Sequence, residues 1–436
     1  MKIRIDSYKN IHDLTIPVVN NKLILLGANG VGKTNTLEAV FFNKAVIEDA
    51  PYEYDRRFLL SMNVLENADE YYPNSRLMHE LFPNITMENA QEVMMNFLEK
   101  VYLRLERPLM RKLVKDALET LKYAIEAKHF DPSPFAITRL VILKKILDNA
   151  VRNNHHHVIL VDTPELYAHP LLMDEIVSVL LALQQAGCLV IISTHSEHVV
   201  SRFFTRFEEI VKVEKTPEGL LKANLINMQL IMERIREFYD QDEYLKHNFS
   251  RSSHMDEGLV KLLENDLESY LITAFRDHII NIFFSQSMIL GEGASEDVLF
   301  DYIENVVNPT WVNEYQVGFI NCMGKSTMPL YFIFLNNIGV RTFVLYDLDN
   351  EQNPVHASYH KWFDEYHFRH KHLFASYYLS PDLEGYLKFS GGERIESIIK
   401  PVNVFNFTFL QKQENPQVSR LIDIMENNIR KMIEAE

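Results

Sequence analysis

The sequence predicts an α/β protein made of two parallel-sheet units, the first interrupted by a long helical insertion. Three observations predict it. An apolar strand, Lys22 to Leu26, runs into the glycine loop GANGVGKT and then into a helix from about Lys33. Two further apolar strands, His157 to Val161 and Cys188 to Ser193, return far downstream, separated by segments of helical periodicity. From Ser287 onward, strands and helices alternate again at Met288 to Leu290, Val317 to Ile320, Thr342 to Tyr346 and Phe374 to Tyr378. That alternation predicts a second, smaller parallel sheet.

The elements divide the chain as follows. Residues 1–43 open with two short strands, Lys22 to Leu26 and the loop, and residues 131–224 complete the same unit. Residues 44–130 carry apolar positions at helical spacing, as in Ala90 to Tyr102 and Met110 to Ala127. They predict a helical insertion suited to dimerisation. Residues 225–284 read as a charged helical linker with a polar break near Asn248 to Asp256, and residues 285–436 form the second unit.

Composition limits the functions available. At 436 residues with 47% hydrophobic positions, the chain is long and apolar enough for two or three cores. Two cysteines, Cys188 and Cys322, exclude a disulfide framework and fit a reducing cytosol. The opening MKIRIDSYKN alternates like a strand and is no secretory signal, and no apolar run reaches membrane-span length. A cytoplasmic protein with no membrane partner is expected. The net charge of -16 argues against a nucleic-acid binder taken alone, since neutralising phosphate needs Lys and Arg. A local basic groove is compatible with that balance, as are carboxylates gathered to hold divalent cations.

The glycine loop has a defined chemistry. Gly27, Gly30 and Gly32 let backbone N–H groups approach phosphate oxygens, and the helix N-terminus adds a favourable dipole. Lys33 is placed to reach the β- and γ-phosphates of ATP, and Thr34 to ligate Mg²⁺. The buried strand HVILVD ends in Asp162, positioned to hold that Mg²⁺. The strand LVIIS ends in Thr194, His195 and Ser196, where a polar side chain senses the γ-phosphate.

With these residues in view, the first unit resembles the ABC-type ATPase heads of the SMC-like and overcoming lysogenization defect (OLD) group. The family pattern N-G-x-G-K-T-N falls on Asn29 to Asn35. Its D-E-P-E and His-Pro fall on Asp162-Thr163-Pro164-Glu165 and His169-Pro170, and its S-T-H-S on Ser193 to Ser196. The departures carry meaning. Where the family has the glutamate that polarises the attacking water stands Thr163, which is no base, and Glu165 lies two residues further on. The signature segment falls near Asp131-Pro132-Ser133-Pro134, where the glycine is missing and Pro134 gives up an N–H. The expectation is that ATP binds well and is hydrolysed slowly or not at all.

The second unit gathers carboxylates. SMILGEGASEDVLF is a strand, a glycine turn and a helix, with Glu292 at the strand end and Glu296 on the first helical turn. FVLYDLDN ends in Asp347 and Asp349, which share a face if the strand continues, and LSPDLEGYL supplies Asp382 and Glu384. Carboxylates at the C-terminal ends of parallel strands converge on one crevice. Hard oxygen donors suit Mg²⁺ or Mn²⁺, and two such ions cleave phosphodiesters. This set resembles a Toprim domain, a Rossmann-like fold of topoisomerases, primases and OLD nucleases. The family's Glu-Gly and Asp-x-Asp map onto Glu292-Gly293 and Asp347-Leu348-Asp349, its OLD-type additional glutamate onto Glu296, and its acidic Leu-Glu motif onto Asp382 to Glu384. The family's later lysine, opposing transition-state charge, maps onto Lys400, with Lys325 of the CMGKS loop as the competitor for a phosphate contact.

Two stretches keep two readings each. YHKWFDEYHFRHKHLF interleaves aromatics with Lys361, Arg369 and Lys371, which fits either nucleic-acid stacking or an amphipathic helix with a buried aromatic face. His155 to His157 read as a polar loop before a strand rather than a metal tract.

The resemblance as a whole implies an ATP-binding, metal-dependent DNA endonuclease of OLD type with a role in anti-phage defence. Metals would sit on Glu292, Asp347 and Asp349, assisted by Glu296 and Glu384, and ATP would gate cleavage through paired heads in a homodimer or higher oligomer. It leaves room for a defence-system partner, a helicase or a reverse transcriptase with its RNA. The alternative is a non-cleaving ATP-switched clamp or sensor that recruits an effector. A topoisomerase or primase ranks below both, because no separate DNA-binding domain carrying a tyrosine nucleophile is visible.

Overall fold

The computed structural model describes residues 1–60, 135–166, 168–240, 261–307, 309–348, 354–380, 382–387, 400–410 and 416–435. It divides into two units, Met1–Ile226 and Asn227–Glu436.

The first unit holds two sheets. In the first, β1 (Lys2–Tyr8) pairs antiparallel with β2 (Ile11–Pro17). β3 (Lys22–Leu26) leads through the glycine loop into α1 (Lys33–Phe41), and β4 (Val46–Glu48) returns to the other edge of β1. The second sheet adds β5 (Arg56–Leu60), α2 (Phe135–Asn153), β6 (His157–Asp162) and α3 (Pro170–Gln185). It continues with β7 (Leu189–Ser193), α4 (Glu197–Phe203), β8 (Ile210–Lys215) and β9 (Leu221–Leu225). Its order is β5-β6-β7-β3-β8-β9, parallel except for the β8–β9 pair. β3, β6 and β7 are buried along almost their whole length, as their unbroken Val, Ile and Leu runs require of central parallel strands.

β4 and β5 correct the boundary of the expected insertion. Residues 46–48 and 56–60 are strands of the first unit's own sheets, not part of a helical insertion beginning at residue 44. Strands this short carry too little periodicity to be separated from their surroundings. The rest of the expected insertion lies outside the described residues, as do the dimerisation reading attached to it and the signature segment ending at Pro134. His157 is likewise not in a polar loop. It opens β6, is buried, and sets its ring edge-on to Phe58 with centroids 5.3 Å apart.

The second unit begins earlier than the sequence suggests. α5 (Met228–Asp240), α6 (Leu267–Phe275) and α7 (Ile279–Phe284) belong to it rather than to a linker. On α5 the buried residues are Met228, Ile231, Ile235 and Tyr239, a spacing of three and four that lays one face on a core. Phe238 meets Phe332 and Trp362, and Phe275 stacks on Phe334 with centroids 4.5 Å apart. Next come β10 (Ser287–Gly291), α8 (Ala294–Tyr302), α9 (Pro309–Glu314), β11 (Val317–Asn321) and α10 (Met328–Asn337). They are followed by β12 (Arg341–Asp347), α11 (Pro354–Arg369), β13 (Phe374–Leu379) and α12 (Leu383–Tyr386), then α13 (Lys400–Phe405) and α14 (Pro416–Glu434). The sheet is wholly parallel, in the order β11-β10-β12-β13.

Between the two readings of the aromatic stretch, burial decides. Tyr359, Trp362 and Phe363 of α11 are buried, so its aromatic face is part of the core, while Phe368 stands out in solvent. Each unit has its own core, one around Leu23, Leu25, Leu160 and Ile191, the other around Ile289, Phe300, Phe343 and Leu345. Each such side chain contributes about 1.5–3 kcal/mol on burial. No helix among the described residues is long and apolar enough to cross a membrane.

Candidate functional site

Each unit gathers its polar side chains at the C-terminal ends of its parallel strands, where a ligand crevice is expected.

In the first unit, β7 lies between β6 and β3, and register brings three segments level. Ser193 pairs with Asp162 on one side and Leu25 on the other, so the glycine loop, Asp162 and the Thr194–Ser196 segment emerge side by side. The loop requires its glycines. Gly27 has φ 154°, and a Cβ there would stand 2.2 Å from the Val213 carbonyl oxygen. Lys33 is nearly buried and donates to the carbonyl oxygens of Gly27 at 2.6 Å and Ala28 at 2.9 Å. Burial lowers its pKa, against the pull of the Asp162 and Glu165 carboxylates. The Thr34 hydroxyl donates to Asp162 Oδ2 at 2.7 Å, so the two expected Mg²⁺ ligands already meet. Asn35 donates to Asn10 at 2.7 Å and accepts from Lys9, so it braces the loop from the side. The peptide N–H groups of the loop and the Thr34–Asp162 pair match what a nucleoside triphosphate and its Mg²⁺ need.

Glu165 has a role the sequence did not show. Its two oxygens accept the Thr194 hydroxyl at 2.7 Å and the His195 N–H at 2.8 Å. It ties the segment after β6 to the segment after β7. Thr163 adopts φ 49°, a left-handed conformation costly for a β-branched residue. Its N–H donates to Ser193 O at 2.7 Å, and its carbonyl accepts from Arg139 at 2.8 Å. Arg139, 1% exposed in the second turn of α2, also reaches Asp162 O at 3.4 Å. The only hint of it in the sequence is an arginine within an apolar helical face. The His195 imidazole is pushed below its usual pKa by burial first and the Lys33 charge second, which favours its neutral form.

In the second unit, α8 begins directly after β10. Gly291 is needed there, because a Cβ would fall 2.6 Å from the Glu296 Cβ. Glu296 folds back to accept the Gly293 N–H at 2.9 Å, closing the helix start as a capping glutamate does. It is buried, and burial raises its pKa to about 8, with the Glu292 and Glu384 charges adding to the shift against two backbone N–H bonds. Glu292 Oε2 accepts the Asp347 N–H at 3.1 Å, which brings the ends of β10 and β12 together. Glu384 accepts from the Ser295 hydroxyl at 3.0 Å and lies 3.2 Å from Lys400 Nζ. Lys400 also reaches Asp382 at 3.4 Å, and Asp382 caps α12 through the Gly385 N–H at 2.8 Å. Burial lowers the Lys400 pKa, and the carboxylates of Glu384, Asp382 and Asp347 more than reverse that. Ser295 is a second residue the motifs did not point to.

The structure thus brings Glu292, Glu296, Asp347, Glu384 and Lys400 into one crevice. Asp349 lies outside the described residues, and β12 ends at Asp347. Among the described residues no three His, Cys, Asp or Glu side chains are grouped as a ready-made metal nest. The donors present are hard carboxylate oxygens, the chemistry that Mg²⁺ or Mn²⁺ selects.

Comparison with known proteins finds relatives of parts of this chain. Residues 283–349 match the Toprim domain of the family described as overcoming lysogenization defect protein-like. The Old nuclease of Escherichia phage P2 is 25% identical over 213 residues, covering 49% of this chain and 31% of that protein. The chain therefore matches about a third of the length of that curated relative, the 31% just given. Two solved structures are similar over the same share of this chain, 53%. One is an SMC head bound to the C-winged helix domain of ScpA, with TM-score 0.33 and 11% identity over 98% of that chain. The other is a nucleotide-free ATP-binding cassette from an ABC transporter, with TM-score 0.29 and 16% identity over 94% of that chain. Likenesses of that strength carry no argument about function.

Proposed function

We propose that this chain, with the OLD-type make-up of a P-loop head followed by an OLD-like Toprim domain, is an ATP-binding, metal-dependent DNA endonuclease acting in anti-phage defence. The observation that carries the reading is the convergence of Glu292, Asp347, Glu384 and Lys400 at the C-terminal ends of β10, β12 and β13. Glu292 and Asp347, with Asp349, would hold divalent cations. When bound, these would supply an activated water and a charge to receive the leaving oxygen. Lys400, anchored on Glu384, is placed to oppose the charge that develops on the phosphate. Glu296, closing the first turn of α8, is the structural stop of the crevice and assists the metal-holding carboxylates.

The head supports ATP binding more than ATP turnover. Lys33, Thr34 and Asp162 are set for the nucleotide and Mg²⁺, while Thr163 offers no base and both oxygens of Glu165 are engaged by Thr194 and His195. ATP then acts as a clasp that favours one arrangement of paired heads. The runner-up, a clamp or sensor that recruits an effector without cutting DNA, draws on the same Thr163. Incubation of supercoiled DNA with the full chain, Mn²⁺ and ATP separates the two. Nicking or linearisation lost in Glu292→Ala and Asp347→Ala supports the nuclease. No cleavage at any ATP concentration, with biological activity intact in Glu292→Ala, establishes the clamp.

A further inference from the structure

The loop that follows β11, Cys322–Thr327, is laced to the carboxylate crevice. Cys322 N–H donates to Gly291 O at 2.9 Å, and Gly324 N–H to Glu292 O at 2.7 Å, so the loop continues the edge of β10 past its end. Tyr239 of α5 donates to Ser326 O at 2.5 Å from the other side. Met323 and Gly324 both have positive φ, 57° and 128°, and this double reversal turns successive side chains opposite ways. Met323 stands 81% exposed, while Lys325 is 5% exposed.

We propose that Lys325 is a positioning residue of the carboxylate crevice, holding the end of β12 so that Asp347 is aimed beside Glu292, and is not the phosphate contact its Gly-Lys setting suggests. The inference rests on the metal-site reading above and deepens it. Lys325 Nζ donates to the Asp347 carbonyl oxygen and lies 3.9 Å from Glu292 Oε2. The same Glu292 oxygen accepts the Asp347 N–H at 3.1 Å. Both main-chain polar groups of Asp347 are therefore occupied, the N–H by Glu292 and the carbonyl by Lys325. The next residue is held as well, Leu348 N–H donating to Leu379 O at 2.8 Å. A residue fixed through its own N–H and C=O, and through its successor, has little freedom to reorient its carboxylate, which is how a supporting shell aims a ligand. A buried ammonium is costly unless paired, and these partners pair it. A DNA phosphate, by contrast, meets side chains at a surface, and Lys325 is beneath it.

The test uses the full chain. Mn²⁺ binding is followed by electron paramagnetic resonance, and DNA affinity by fluorescence anisotropy at several salt concentrations. Lys325→Met is expected to weaken Mn²⁺ binding about tenfold or more, the scale of lost outer-shell support. Lys325→Gln, still a donor to the Asp347 carbonyl, is expected to lose less. Met323→Ala, on the outward face of the same loop, should bind Mn²⁺ as wild type does. DNA affinity and its salt dependence should be unchanged in both lysine variants. Wild-type Mn²⁺ binding in Lys325→Met overturns the inference. So does a weaker DNA affinity whose salt slope falls by about one, the mark of a lost phosphate contact. If Lys325→Met does not fold by circular dichroism, Lys325→Gln carries the same two readings. Wild-type Mn²⁺ binding in Glu292→Ala would instead overturn the metal site itself, and the inference with it.

Discussion

The two crevices sit at equivalent places in their sheets and are built for opposite charges. In the first unit the strand ends offer N–H groups, a lysine and one aspartate already hydrogen-bonded to Thr34. In the second they offer carboxylates, and burial, with the Glu292 and Glu384 charges adding to it, makes Glu296 hold its proton up to about pH 8. A main-chain carbonyl at each key aspartate is nevertheless served by a buried cation, Arg139 at Asp162 and Lys325 at Asp347. Both sheets present parallel strand ends, and on the proposed reading the side chains there decide which receives a polyphosphate anion and which divalent cations. The loop already holds its lysine on its own carbonyls, whereas a cluster of acids is complete only with its counter-ions.

Several substitutions break or sharpen that contrast. The largest effect is expected in the head, where Lys33→Ala removes a charge-assisted partner of the phosphates. ATP affinity, measured by isothermal titration, should fall by about ten- to a hundredfold, since a hydrogen bond to a charged group is worth about 1.5–3 kcal/mol. Mn²⁺ binding at the second unit should not change. Next, Thr163→Glu places a carboxylate where a general base acts, and steady-state ATPase activity should rise about tenfold or more, below the full range of ~10²–10⁴ for such a base because the backbone there is left-handed. A variant no faster than wild type argues that the base is not what the head lacks.

A further effect concerns pH. Glu296 has a folded-state pKa of about 8, above the ordinary value of 4.5, so the folded protein binds the extra proton between those limits. Its contribution to stability is full below about pH 4.5 and is lost as pH rises through 8. Denaturant unfolding of the metal-free protein should show stability declining over that window, and Glu296→Gln should flatten the decline. An unchanged slope would mean that Glu296 is not the group responsible. Gly27→Ala acts on the loop itself. A methyl group 2.2 Å from Val213 O must displace the loop, at a cost of about 1–3 kcal/mol in thermal unfolding and some loss of ATP affinity.

How much of this was legible in the sequence follows from locality. The glycine loop, Asp162 and Thr194–Ser196 are contiguous motifs on strongly apolar strands, and the structure sets them side by side. β4 and β5 were hidden because three and five residues do not establish a period, and what makes them strands is pairing with β1 and β6 far away. α5 looked like linker because its exposed face is charged, while its buried face appears only once Phe238 and Tyr239 have partners in α10, α11 and the loop after β11. Side-chain roles were least legible. Glu165 acts on residues 29 and 30 positions away, and Lys325 on one 22 positions away. Nothing in a Gly-Lys dipeptide says that the lysine turns inward.

On the proposed function, the head clasps ATP while the carboxylates of the second unit perform the hydrolysis, on a different phosphate ester. The most direct test is DNA cleavage by the full chain in Mn²⁺ with ATP against a non-hydrolysable ATP analogue. Equal cleavage with both nucleotides, abolished by Glu292→Ala with Asp347→Ala, is the predicted result. Cleavage that requires hydrolysable ATP, or that survives the loss of both carboxylates, contradicts the account.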